Sequence, residues 1–259
     1  MAVRRRRLAC LTRAAASAAM LCAFAVPTLT GQPSLLGTSG AGPQAETRDE
    51  LDKAGLVFEA SDPRTALERA RRFDQSYPTS EFLEAVALTR MDAYRSLGRS
   101  ADLVSAATQV LKLNPENPFA LVSLAETYLS GDANYGRQRE RAVGHARRAV
   151  SVLDGLAMPD GARSRDWILA KRELLARAHG MLGYVHLKEE EFDRAAAEFE
   201  LAARLEPVGT YFYRAGLAFQ FDGRDRRARE AFEQAIELGP DDVRLAARER
   251  LRELKEQSR

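Results

Sequence analysis

Three histidines, a cluster of five arginines, a run of three glutamates and one tryptophan are the side chains of this 259-residue sequence that could do chemistry. His179 and His186 stand seven apart, so on a helix both rings share one face, where they could hold a divalent cation. Phe212 and Phe219 occupy the corresponding places one 33-residue period later and belong to an apolar stripe. Core packing rather than ligation is therefore expected of the two histidines. His145 stands alone among arginines. Arg137, Arg139, Arg141, Arg147 and Arg148 could attract an anionic surface such as lipid headgroups. With Glu140 among them they read instead as a solvated helix face. The run Glu189-Glu190-Glu191 is expected to face solvent at a helix end, without a partnered acid or base. Trp167 suits an exposed anchor or packing beneath the loop around Pro159 equally well. A glycine-rich phosphate loop after a strand, a zinc-type His/Glu motif and a serine elbow are all missing from the sequence. No catalysis, cofactor or metal is expected.

The N-terminus has a different character from everything after it. Arg4, Arg5, Arg6, Arg7 and Arg13 precede the first acid, Glu46, and Ala14 to Val26 is a thirteen-residue apolar run ended by Pro27. A spanning helix needs about 20 apolar residues, so residues 1–30 read as an export signal, with a retained anchor as the other reading. Ala23-Phe24-Ala25 and Thr28-Leu29-Thr30 are candidate cleavage sites, and Arg5-Arg6 also permits twin-arginine export. Cys22 follows Leu21 rather than a small residue, which argues against a lipoprotein signal. Both cysteines, Cys10 and Cys22, lie in this segment, so the processed protein would carry no disulfide, thiolate or cysteine metal site. Removing the five leader arginines from 39 basic residues leaves 34 against 37 acids, a net charge of −3. The slightly basic whole-chain balance is then a property of the leader and gives no reason to expect nucleic acid. Periplasmic or secreted protein is the expectation.

Residues 31–46 are rich in Gly, Pro, Ser, Thr and Gln and carry too little apolar surface to offset the entropy of ordering, so a flexible tether is expected. From there on, apolar residues recur three or four apart and no run alternates like a strand, which predicts an all-α chain. The pattern divides at about 47–80, 81–117, 118–157, 164–208 and 209–240 into helical pairs, with a last helix over 241–257. Asp62 before Pro63 suits a helix start. Gly98 and Gly223 mark tight turns, and Gly131 to Gly136 and Asp154 to Ala162 read as longer loops.

Two stretches agree position by position. Leu182, Gly183, Ala195, Phe199, Ala202 and Pro207 recur as Ala215, Gly216, Ala228, Phe232, Ala235 and Pro240, each 33 residues later. A period near 34, small residues at the helix contact and a phenylalanine beside them resemble the tetratricopeptide repeat. The resemblance implies a right-handed α-solenoid of about five such pairs. In it Val243, Ala247, Leu251 and Leu254 of the last helix would seal the end of the core. The second pair departs from the pattern where Met91 and Leu103 replace small residues, so a wider crossing is expected there.

In this family the first helix of each pair lines a concave groove that binds a peptide. The resemblance places Phe119, Val122, Glu126, Arg177, Tyr184, Tyr213, Leu217 and Gln220 in that groove, with Leu187, Asp92 and Arg95 beside them. Packing against neighbouring helices is the other reading for each. The Lys and Asn with which heat-shock co-chaperones of the family grip a C-terminal carboxylate have no counterparts, so that activity does not carry over. The implied function is a non-catalytic scaffold for a protein or peptide partner in the periplasm or cell envelope, with membrane contact only through an uncleaved N-terminus. The alternative is a structural component of an envelope assembly, docked through its convex or basic surface.

Overall fold

A computed structural model describes residues 43–130, 135–158 and 163–257. Among them the chain forms eleven helices and no strand. These are α1 (Arg48–Phe58), α2 (Pro63–Ser76), α3 (Leu83–Ser96), α4 (Ser100–Leu113), α5 (Pro118–Leu129) and α6 (Tyr135–Gly155). They continue with α7 (Ser164–Lys188), α8 (Phe192–Leu205), α9 (Gly209–Phe221), α10 (Asp225–Leu238) and α11 (Asp241–Gln257). No helix of the described residues is long and apolar enough to cross a membrane. The leader, with Ala14 to Val26, lies outside the described residues, as does the tether up to residue 42.

Local chemistry sets the helix ends. The Asp62 carboxylate accepts hydrogen bonds from the backbone N–H of Arg64 and Thr65, both at 3.0 Å, with Pro63 in the first turn. A hydrogen bond from the Thr65 side chain, followed by those two backbone bonds, holds Asp62 below the usual carboxylate range. Three turns share one hydrogen-bond pattern. After α3, Gly98 N–H donates to Arg95 O and Arg99 N–H to Tyr94 O; after α9, Gly223 donates to Gln220 and Arg224 to Phe219. Both glycines have positive φ, +66° and +80°, the conformation that ends a helix with least steric cost in glycine. After α7 the same bonds run from Glu190 to Leu187 and from Glu191 to His186, and here Glu190 takes φ +61°. The charged run therefore conceals a turn that elsewhere uses glycine. Both loop expectations change at their edges: Tyr135 and Gly136 form the first turn of α6, and Asp154 and Gly155 end the same helix.

The chain divides into two units. One holds described residues 43–128 and 140–178. There α1 packs on α2 and α3, α2 on α3, and α3 on α4. Ala54, Val57, Ala70, Phe73, Phe82 and Val86 form one core. Ala87, Leu88, Met91, Leu103, Ala107, Val110 and Leu124 belong to a second, which Tyr94, Phe119 and Tyr128 flank. Met91 and Leu103, the two departures from the small-residue pattern, are both buried in that second core.

The other unit holds residues 129–139 and 179–257 among those described. Here α9 touches α8, α10 and α11. Packing each helix on the next, and on the one after, is the contact order of an α-solenoid. A Cβ on Gly216 would come 2.6 Å from Phe232, and one on Gly183 would come 2.9 Å from Phe199. The two phenylalanines are fully buried, as are Ala195, Ala202, Ala228 and Ala235. Small residue against phenylalanine is thus the packing unit, used twice at a spacing of 33. Where α9 and α11 begin, backbone meets backbone: a Cβ on Gly209 would lie 2.2 Å from the Cα of Gly239. On α11, Ala247 and Leu254 are buried and Leu251 half-buried, while Leu245 faces solvent.

Candidate functional site

In the first of these units, α3, α5 and α7 bring charged side chains together. One turn of α3 places Arg95 Nη1 2.8 Å from Asp92 Oδ1, and Arg95 Nη2 then donates to Ser123 Oγ on α5 at 2.5 Å. Ser123 in turn donates to the Phe119 carbonyl at 2.6 Å, the back-bond that lets a serine sit inside a helix. Arg177 of α7 reaches Glu126 of α5 with two bonds, 2.8 and 2.6 Å, and Glu173 lies 3.5 Å away on its own helix. The fork matches a carboxylate edge, which makes this the strong form of ion pair. Asp92, Arg95, Ser123, Glu126, Arg177 and Glu173 thus form a polar band across three helices.

Asp92 is the reachable end of the band. Its side chain keeps 57% of its accessible surface. Even so, burial raises its pKa above the ordinary 3.8, against the pull of Arg95 and Arg177.

The eight groove positions fare unequally. Val122, Tyr184 and Leu217 are buried in the chain's own packing. They do not present side chains to solvent, because a helix held between two neighbours buries more of its circumference than a simple amphipathic stripe. Arg177 is 9% exposed and committed to Glu126. Phe119, Glu126, Tyr213 and Gln220 are half-buried. Phe119 leans on the second core, and Tyr213 packs 5.7 Å from the Phe232 ring. Gln220 holds its Oε1 buried with no hydrogen-bond partner among the described residues. Phe119, Val122, Glu126 and Arg177 belong to one unit and Tyr184, Tyr213, Leu217 and Gln220 to the other.

The histidines are half-buried, as core placement would suggest, yet each of the pair holds an acid. His179 Nδ1 is 2.7 Å from Glu198, and His186 Nδ1 is 2.6 Å from Glu191. His186, Glu189 and Glu191 place their ligand atoms within 4.8 Å of one another. Cations already serve those acids: Glu189 pairs with Arg139, and Glu191 with Arg194 at 3.2 Å. The expectation that these glutamates lack partners is corrected, since their partners come from α6, α7 and α8. His145 lies 5.8 Å from the Tyr128 ring, and burial, with Arg148 and Arg141 nearby, lowers its pKa.

Sequence reading missed Ser123 and Glu173, whose roles come from neighbours on other helices. It also missed Arg214, which is completely buried on α9. A further feature without a sequence signal is a cavity of about 250 Å³ in the second unit, lined among others by Glu200, Arg204, Phe212, Phe219 and Arg227. There Arg227 lies 4.2 Å from the centre of the Phe219 ring and pairs with Glu200.

The tetratricopeptide-repeat family model matches residues 176–208 and 209–242, so the chain carries two tetratricopeptide repeats there. No curated protein matches the sequence closely enough to count as a relative. Among solved structures, the assembly chaperone of RpL4 (Acl4) is 18% identical. It covers 80% of this chain and 84% of its own, at a TM-score of 0.59. MamA 41-end from Desulfovibrio magneticus RS-1 is 18% identical over 75% and 97%, at 0.56. A further MamA crystal structure is 17% identical over 73% and 89%, at 0.53. Likeness at this identity is likeness of fold. Proteins built on tetratricopeptide repeats are in general non-catalytic scaffolds that bind other proteins.

Proposed function

We propose that this protein is a non-catalytic, exported scaffold that binds an extended or helical peptide along the polar band of α3, α5 and α7. The observation that carries the reading is the band itself: the accessible Asp92 carboxylate holds Arg95, Arg95 reaches Ser123 on α5, and one turn further Glu126 holds Arg177 of α7. A face with fixed charges and a half-buried phenylalanine beside them suits a peptide: main-chain and charged groups set its register while Phe119 offers apolar contact. The periplasm or cell envelope is the proposed location, on the strength of the Arg4-to-Val26 leader.

The test is crosslinking in cells followed by mass spectrometry, comparing wild type with Asp92→Lys/Phe119→Ala. A partner captured only by wild type supports the proposed face. Identical partners from both proteins overturn it. Partners lost instead on Arg147→Glu/Arg148→Glu, which changes the exposed side of α6, would favour docking into an assembly. Fractionation of the same cells tests the location, and protein found only in the cytoplasm would refute it.

A further inference from the structure

The first turns of α7 lie outside the matched repeats, which begin at residue 176, although α7 starts at Ser164. Their two sides differ. Ala170 and Leu174 are buried and Trp167 half-buried, forming the packed side. Arg165, Ile168, Leu169 and Arg172 follow the i, i+3, i+4, i+7 spacing that puts them on one face. Ile168 and Leu169 are 48% and 44% exposed. Met158, 44% exposed, belongs to the preceding segment, which is tied to this end of α7 by a 3.1 Å bond from Lys171 Nζ to Leu156 O. Arg163 projects almost fully into solvent and lies 3.7 Å from Asp166.

We propose that this face is an interfacial membrane-binding site that seats Ile168, Leu169 and Met158 in the headgroup region of an anionic bilayer. Arg163 and Arg165 are exposed at this end of the helix and outnumber the one acid of the same turn, Asp166, so the edge of the patch carries a net positive charge that complements anionic headgroups. Adjacent apolar side chains on a single helix offer no walled cleft for a peptide, whereas shallow insertion into a bilayer needs none. Trp167, half-buried on the packed side, is the residue next to Ile168 in the chain, so its ring lies close to the patch without being part of it. The site is independent of the polar band and of the leader.

Trp167, the only tryptophan, is a built-in probe. The full-length protein is mixed with vesicles of phosphatidylglycerol and phosphatidylcholine carrying brominated acyl chains, and Trp167 emission is followed. Quenching by contact bromines reports α7 itself, even where the N-terminal segment also binds the vesicles. Expected are strong quenching by anionic vesicles, little by pure phosphatidylcholine, and loss of quenching in Ile168→Glu/Leu169→Glu. Arg165→Ala, an exposed change that leaves packing alone, should weaken binding roughly fivefold at low salt. Absent quenching in the wild type, or equal quenching in the double variant with helicity intact by circular dichroism, overturns the proposal. So does a wild-type dimer that the double variant converts to a monomer without any vesicle effect, since the face would then bind a second copy.

Discussion

Gly216→Ala tests whether the helix contact in the second repeat is set by close approach or by mere absence of bulk. The added methyl would lie 2.6 and 2.7 Å from two ring carbons of Phe232, against the roughly 3.5–4.0 Å of an ordinary carbon contact. Phe232 is completely buried, so its ring has nowhere to swing. Overpacking of this kind costs about 1–3 kcal/mol. Working against it, alanine gains about 0.5–1 kcal/mol over glycine inside a helix. Packing should win, with a net loss of about 1 kcal/mol. Gly183→Ala should lose less, because its nearest contact with Phe199 is 2.9 Å. The discriminating arm is a double-mutant cycle in urea unfolding, followed by circular dichroism. In a Phe232→Leu background the clash is gone and only the helical gain is left, so Gly216→Ala should there be neutral or stabilising. A coupling of about 1–2 kcal/mol is expected. If Gly216→Ala stabilises both backgrounds equally, close approach to Phe232 plays no part and the packing argument fails.

Glu190 pays a steric cost that Gly98 and Gly223 avoid, so Glu190→Gly should stabilise by about 1 kcal/mol and raise Tm by about 2–4 °C; a lowered Tm in thermal melts would contradict this. Glu126→Ala strips the bidentate partner from Arg177 and leaves only Glu173, which should cost about 3 kcal/mol by chemical denaturation. A change below 0.5 kcal/mol would show the pair to be ornamental. Asp92 should titrate above 3.8 by carbon-detected NMR. Because its folded pKa is raised, the folded state holds the proton more tightly, so Asp92 favours folding below that window and loses this contribution as pH rises through it. Asp92→Asn should flatten that part of the stability profile, and an unshifted midpoint would show that burial does not act on this carboxylate.

The repeat was legible because its signal is local. Gly183 with Phe199 and Gly216 with Phe232 state the period, the close contact and the filling ring within one stretch of chain. The binding face was only half legible. Tyr184 and Leu217 occupy the same sequence frame as Tyr213 and Gln220, yet their exposure depends on which neighbours cover each helix, and the neighbours lie elsewhere in the chain. Glu190 shows the same limit from another side. A turn that lacks its usual glycine looks like a plain charged run, and the partners of Glu189 and Glu191 sit on three helices.

The meeting of Gly209 and Gly239 bears on how such a chain can be rebuilt. Their main chains touch with no room for a methyl between them. The two positions therefore form one joint between the last repeat and the closing helix. A graft that swaps α11 for the closing helix of another solenoid must bring a glycine at both sides of the seam. An extra repeat inserted after Leu238 must recreate the pair at its own end, or the terminal helix will be pushed off its seat.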